Sequence, residues 1–442
     1  MPRTSRASNP EPDPAASQKS WWLFRNEPGE DSLSAEQRRI NRATASGEWP
    51  SAPPWRRFGR QVADGQAQQL AMDDDYWAFL DAIAAGKERD RRRGQTFRLP
   101  RNDDQTLTPR AERILLAVNA AIHLRRPLLV TGLPGSGKTS LAYAIAHELG
   151  LGPVLVWAIT PRSRLLEDGL YRYDALARLQ QADLERSARQ VIAPDAEARA
   201  AAMAAIKPPP IDLYLRLGPV GTAFLSSRWP RVLLIDEIDK GDLQLPNELL
   251  NLFEEGQYEI SELTRAQQLE DDQPSHTIRT ADARQANPDQ PGSREQPLPA
   301  TLPSGFVACH EFPIVVMTSN REREFPPAFH RRCIRLGMPP PDEQALTPIV
   351  EAHFADEPAG RQPQGGALQE VIRQFLSADS DGSGEASGSA ALSDRAVDQL
   401  LNSLFLLTRE SHDGPTPSQQ EELRKILHRR LSDPSDDPEA SG

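Results

Sequence analysis

Two cysteines are all that 442 residues contain, so no disulfide framework holds this chain together. Cys309 and Cys333 are not spaced as metal ligands and read as reduced, partly buried thiols. No uninterrupted apolar run approaches the roughly 20 residues that cross a bilayer, which argues against a helical membrane span. Residues 1–20 lack the apolar stretch of a secretory signal, so the expectation is a cytoplasmic protein with a disordered N-terminal tail. Positive charge is not in excess either. Acidic residues outnumber basic ones 63 to 51, a formal charge of −12, which disfavours non-specific wrapping of nucleic acid but leaves room for a local basic patch. Proline, by contrast, is abundant: 40 residues, many in tracts such as 9–14 and 287–303 that mark linkers or loops. A 38% hydrophobic share over this length suffices for two or three cooperating domains.

Aromatic residues make up only 6% of the chain, yet they gather in WWLF at 21–24, in WPSAPPWRRF at 49–58 and in YWAFL at 76–80. They are expected to staple an N-terminal extension, residues 21–110, onto the main domain. A partner-docking surface is one competing reading; base stacking helped by Arg56, Arg57 and Arg60 is another. Helical periodicity over 112–124 leads into a short apolar strand, a Gly-rich turn and an alanine-rich helix. Further strands are expected at 154–159, 231–238 and 312–320, with an amphipathic helix at 245–256 ended by glycine. Residues 177–206 look like a charged, mobile or helical insert. Residues 264–303 are polar and Pro-rich without periodicity, a long loop or the arms of a hairpin, poor in packing residues. After the Pro-rich stretch at 339–341 the pattern is helical, with a Gly/Ser-rich interruption near 377–390.

Three strand ends carry chemistry. Gly132, Pro134, Gly135, Ser136, Gly137, Lys138, Thr139 and Ser140 lie in or beside a G-x-x-x-x-G-K-S/T loop between a strand and a helix. Glycines let such a backbone turn tightly and aim its N–H groups at phosphate oxygens, and the helix adds its positive end. Lys138 would reach the β- and γ-phosphates and the Thr139 hydroxyl would ligate Mg²⁺. A dinucleotide fold calls for other glycine spacing and no lysine. The apolar strand ending in Asp236-Glu237 would place Asp236 on Mg²⁺ and Glu237 beside the attacking water, which points to hydrolysis. Asp239 reads as structural or subunit-facing. Asn320 closes the third strand, where its amide would orient the water opposite the γ-phosphate. Arg331 and Arg332 sit at a helix end, and such a fork of donors can be supplied in trans to a neighbour's nucleotide. The fold class that follows is α/β: a P-loop NTPase three-layer domain with a mainly parallel sheet (111–345), then an α-helical lid domain with a C-terminal tail (346–442).

Lysine loop, Asp-Glu strand, Asn-ended strand and arginine pair, in this order, resemble the AAA+ ATPase superfamily. LLIDEIDK at 233–240, LPNELLNLFEEGQYEI at 245–260 and VVMTSNREREFPPAFHRRC at 315–333 resemble, more narrowly, its MoxR-like branch, grouped with dynein-related or midasin-like modules. The resemblance covers about residues 110–345. It implies that Lys138 and Thr139 are the Walker A pair, Asp236 and Glu237 the Walker B pair, Asn320 sensor 1, and Arg331 or Arg332 the finger. A second sensor arginine is expected in the lid, and Arg395 is the candidate, although its surroundings match poorly. It also implies ATP and Mg²⁺ as cofactors and a homo-oligomeric ring, often a hexamer. The partner would be a separate protein client, in some relatives one with a von Willebrand A-type domain. Tyr171, Arg172 and Tyr173 lie where ring-facing elements arise and serve either a client or domain packing. A chaperone-like remodeller is the leading expectation. A nucleic-acid-dependent motor, or a slow nucleotide-gated switch in a bacterial multigene or defence system, are the alternatives.

Overall fold

The computed structural model describes residues 21–27, 32–45, 47–59, 70–102, 104, 106–192, 210–269, 275–284, 296–338, 343–355, 368–369, 371–373, 397–407 and 419. The expected tail, Arg60, the Gly/Ser-rich interruption and Arg395 lie outside them. Helices follow one another as α1 (Ala35–Arg42), α2 (Asp74–Gly86), α3 (Glu88–Gln95), α4 (Pro109–Leu124), α5 (Lys138–Glu148), α6 (Ala175–Ile192), α7 (Pro219–Ala223), α8 (Leu245–Glu255), α9 (Ser261–Leu269), α10 (Pro327–Arg332), α11 (Glu343–Phe354) and α12 (Val397–Leu407). The strands are β1 (Leu128–Thr131), β2 (Leu155–Ala158), β3 (Tyr171–Tyr173), β4 (Leu215–Leu217), β5 (Val232–Asp236), β6 (Gln257–Glu259), β7 (His276–Arg284), β8 (Gln296–Leu302), β9 (Phe306–Ala308), β10 (Ile314–Ser319) and β11 (Ile334–Gly337).

Five strands form a parallel sheet in the order β11-β1-β10-β5-β2. Central strands β1, β10 and β5 are continuous apolar runs buried on both faces, as parallel strands covered by helices must be. Edge strand β2 instead alternates buried and exposed residues. Because all five run the same way, Thr131, Asp236, Ser319 and Gly337 finish at one edge of the sheet, where an open parallel sheet binds ligands. Behind it, α11 and α12 share a small core of Leu346, Val350, Phe354, Leu400 and Leu404. Among the described residues no helix is long and apolar enough to cross a membrane. Both cysteines are free and buried, and burial pushes the Cys333 thiol up to about 12.

The N-terminal aromatics do staple. Trp22, Phe24, Trp49, Tyr76 and Trp77 are all buried in the main core, although Trp55 is 75% exposed. Polar side chains fix the strap's course: Asn119 Oδ1 accepts the N–H groups of Leu23 and Phe24, and Glu148 accepts those of Arg25 and Asn26. Arg56 is not available for base stacking. It is buried against Phe58 and Phe312, and its guanidinium donates to the carbonyls of Arg125 (2.7 Å) and Phe253 (2.9 Å).

The segment expected as a long loop or the arms of a hairpin, poor in packing residues, contains paired strands where it is described. Residues 261–269 complete a helix, and β7 and β8 pair antiparallel as a hairpin within a second sheet, β3-β4-β7-β8. Its period of two is masked because the inward residues of β7 are His276, Ile278, Thr280 and Asp282, of which only one is apolar. Asp282 forms a two-pronged ion pair with Arg231 (2.7 and 2.9 Å), with side chains 2% and 0% exposed. The Tyr76 hydroxyl also donates to Asp282 (3.0 Å), so one buried carboxylate ties the hairpin, the start of β5 and the N-terminal extension together. Within β3, Tyr171 is buried and donates to Glu262 (2.9 Å), which commits it to packing, while Arg172 projects outward.

Removing one partner of a buried ion pair costs about 3–5 kcal/mol, far more than replacing both by apolar groups. Arg231→Ala should therefore lower stability by about that amount in urea denaturation, and Arg231→Met combined with Asp282→Leu should recover most of it. A single-variant cost below about 1 kcal/mol would refute a structural role for the pair.

Candidate nucleotide-binding site

Gly132 opens the loop after β1 at a point where a Cβ would lie 2.4 Å from the Met338 carbonyl oxygen, so no larger residue fits. Gly135 and Gly137 take left-handed backbone at φ 73° and 84°, which glycine adopts without steric cost. Ser136 Oγ donates to the Leu133 carbonyl (2.9 Å) and closes the turn, whose tip exposes Pro134 and Gly135. Lys138 starts α5 and is buried. Its ammonium donates to the carbonyls of Gly132 (2.8 Å) and Leu133 (2.6 Å) at the base of the loop. Burial holds its pKa below the ordinary lysine value, and the negative charges of Asp236, Asp239 and Glu237 oppose that shift.

Carboxylates and hydroxyls of adjacent strands meet beside it. Asp236 Oδ1 accepts from Thr139 Oγ1 (3.1 Å) and from Thr318 Oγ1 (2.6 Å). Thr318 Oγ1 in turn accepts the backbone N–H of Glu237 (2.9 Å). Glu237 needs that hold, because its φ of 58° is a left-handed conformation that costs a non-glycine residue roughly 1–2 kcal/mol. Its side chain accepts from Asn320 Nδ2 (3.4 Å) through one oxygen and from Lys240 Nζ (2.8 Å) through the other.

Asp239 has a larger part than its expected structural role suggested. It is 5% exposed, and its Oδ2 accepts from Ser319 Oγ (2.9 Å) and from the N–H groups of Asn320 (2.9 Å) and Glu322 (3.1 Å). These bonds bend the chain after β10 into a turn with Arg321 at φ 64°. Asp239 thereby fixes where Asn320 stands. The short turn Ile238–Lys240 after β5 is the feature that carries it under the end of β10.

The two arginines at the end of α10 stand elsewhere. Ile334 pairs with Leu128 at the entry edge of the sheet, whereas the phosphate loop follows Thr131 at the exit edge. Arg332 is engaged with Glu254 (3.1 Å) and the Ala328 carbonyl. Arg331 is exposed, and its guanidinium has no partner among the described residues.

Residues 135–140 form one wall of a cleft of about 650 Å³, within the roughly 300–1,000 Å³ of small-molecule sites. Phe97, Leu99, Ile114, Met338, Ile349 and Leu401 give it apolar walls suited to a base. A separate cleft of about 400 Å³ between α1, α2 and the rear of α5 meets none of the phosphate-loop residues.

Hydrogen bonds to a charged group are worth roughly 1.5–3 kcal/mol, or about a 10- to 100-fold effect. Thr318→Val, which removes both bonds of that hydroxyl, should lower ATP turnover by about that factor, and Thr318→Ser should retain most of it. Steady-state phosphate release checks this; an unchanged rate in Thr318→Val would remove the hydroxyl from the site's architecture.

Comparison with known proteins agrees with this arrangement. Residues 127–333 match the family model of the AAA domain, dynein-related subfamily. The chain is similar over 83% of its length to a structure of C. elegans PCH-2, covering 75% of that chain at 14% identity and a TM-score of 0.33. It is similar over 86% of its length to the FIGL-1 AAA domain in complex with ADP, covering 89% of that chain at 13% identity and a TM-score of 0.27. No curated protein matches the chain. Residues 127–333, which carry the phosphate loop, the acidic strand end and four of the five parallel strands, thus match an AAA domain of the dynein-related subfamily, a family of ATPases.

Proposed function

We propose that this protein is a Mg²⁺-dependent ATP hydrolase that works as a homo-oligomeric ring, remodelling or activating a separate protein partner in the cytoplasm, in the manner of the MoxR-like branch. The observation that carries the reading is a division of labour across the sheet. Asp236, Glu237 and Asn320 converge at its exit edge, while Arg331 stands free at the entry edge, out of reach of its own chain's phosphate loop. A site of this kind is completed by a neighbouring copy.

The donor set suits Mg²⁺, which takes one or two protein oxygens and leaves its other positions to water and phosphate. Thr139 Oγ1 and Asp236 Oδ1 lie 3.1 Å apart, and these two residues would hold the ion. When bound it would neutralise charge on the β- and γ-phosphates. Lys138 supplies a further positive charge there, and the loop's N–H groups orient the chain of phosphates. Glu237 takes a proton from the attacking water, Asn320 fixes that water's position, and the water oxygen bonds to the γ-phosphorus as the bond to the bridging oxygen breaks, giving ADP and inorganic phosphate. Arg331 of a neighbour stabilises charge on the transferring group. A protein client, one with a von Willebrand A-type domain among the possibilities that the branch offers, is supported over nucleic acid by the net charge of −12 and by the internal engagement of Arg56.

Arg331→Ala should reduce turnover about 10³-fold or more, and Arg332→Ala by far less. Glu237→Gln should retain ATP and stabilise the oligomer while losing turnover. Mixing Arg331→Ala with Lys138→Ala, each inactive alone, should restore phosphate release, since one contributes intact loops and the other intact arginines. Failure of the mixture despite co-assembly, or turnover independent of protein concentration, would sink the shared site. Strong stimulation by single-stranded DNA would favour the motor.

A further inference from the structure

The N-terminal extension reaches into the nucleotide cleft. Helix α3 lies across α5, so close that a Cβ on Gly94 would stand 2.7 Å from the Tyr143 carbonyl oxygen and 2.8 Å from His147 Cβ. Arg89, Arg92 and Arg93, at i, i+3 and i+4, share one face of α3, and all three line the same cleft as Gly135 to Ser140. Arg91 points to another face and pairs with Glu88. Arg93 Nε donates to Ser140 Oγ (3.2 Å) in the first turn of α5, and its guanidinium lies 4.8 Å from the Tyr143 ring centre. Among the described residues Arg93 has no acidic partner. From the far side, the His353 carbonyl of α11 accepts from Arg92 Nη2 (3.5 Å).

We infer that the basic face of α3, with Arg93 at its centre, is a phosphate-binding element of the nucleotide site, contributed in cis by the N-terminal extension. The inference rests on the ATP reading of the cleft and adds to it a ligand set outside the AAA domain. The geometry gives the reason. The loop's N–H groups cradle the α- and β-phosphates, and Arg93 is already hydrogen-bonded to Ser140, which lines the same cleft. The Arg93 guanidinium lies over the Tyr143 ring, hydrogen-bonds that tyrosine and uses Nε on Ser140, yet its five N–H groups leave terminal donors for phosphate oxygens. Among the described residues no carboxylate lines the cleft to compete for it. The same helix touches α11, so a phosphate drawn against α3 would be gripped between the extension, the P-loop and the lid.

The test compares ADP with adenosine, which lacks every phosphate, by calorimetric or fluorescence titration of the full chain. In Arg93→Ala, ADP should bind about 10- to 100-fold more weakly while adenosine binds as to the wild type. Arg93→Lys should recover part of the loss, because charge is kept and the fork is not. The melting temperature of the ligand-free variants separates this from unfolding. Unchanged ADP affinity in Arg93→Ala, or an equal loss for adenosine, would overturn the inference and leave Arg93 as a packing residue. Lys138→Ala serves as the control: it should lose ADP in any case. A wild-type chain that binds no ADP would instead bring down the nucleotide reading itself, and this inference with it.

Discussion

The Thr318 hydroxyl ties the acidic end of β5 to β10. It donates to Asp236 and accepts from the Glu237 amide, and it can do both because β10 and β5 are parallel neighbours in a register that sets Met317 beside Ile235. One position further along, the threonine therefore stands level with the acidic pair. The left-handed turn at Glu237 depends on this, since an unsatisfied amide beside a strained backbone would add one cost to another. Asp239 repeats the device one step below, collecting the hydroxyl and amides of the turn after β10. Two strand ends are thus tied in both directions, and Glu237 and Asn320 become parts of one rigid unit. In the proposed reaction such pre-set dipoles and donors would need no rearrangement as charge develops.

The N-terminal extension belongs to the same unit. A strap held only by apolar contacts could slide, but this one is placed by directional bonds. Asn119 grips residues 23 and 24, Glu148 grips 25 and 26, and Asn26 then passes the order on, donating to the Phe97 carbonyl and accepting the Leu99 N–H. Phe97 and Leu99 are walls of the cleft. The bonding runs without a break from the first described residues to the nucleotide site. That continuity explains how a segment outside the AAA match can shape the cleft.

Much of this was legible in the residues, and the reasons for the rest are physical. The P-loop, the acidic strand and the Asn-ended strand stand out because each joins an apolar run to a fixed chemical signature. The staple was legible because scarce aromatics were clustered. Hairpin β7-β8 was legible only as one of two readings, because its inward face is polar, and polar burial requires a partner such as Arg231 that is 51 residues distant in the chain. Arg89, Arg92 and Arg93 were hidden differently: in ERDRRRGQ they resemble the solvated face of a short helix, and only the close approach at Gly94 turns that face toward the cleft. Arg395, expected in the lid, lies outside the described residues.

Charge balance connects the two arginine sets. Asp236, Glu237 and Asp239 make the floor of the site negative, and a nucleoside triphosphate adds several more negative charges. Two unit charges 4 Å apart interact by about 4 kcal/mol at an effective dielectric near 20, so Lys138 alone would leave such a ligand poorly compensated. In the proposed arrangement the α3 face compensates the phosphates nearest the base within each chain, and Arg331 of the neighbour meets the γ-phosphate end. Cis arginines would hold ATP and its product ADP alike, since both carry the phosphates they face. An arginine from the next copy would act only on the phosphate that leaves. Binding would then belong to the single chain and hydrolysis to the assembled ring.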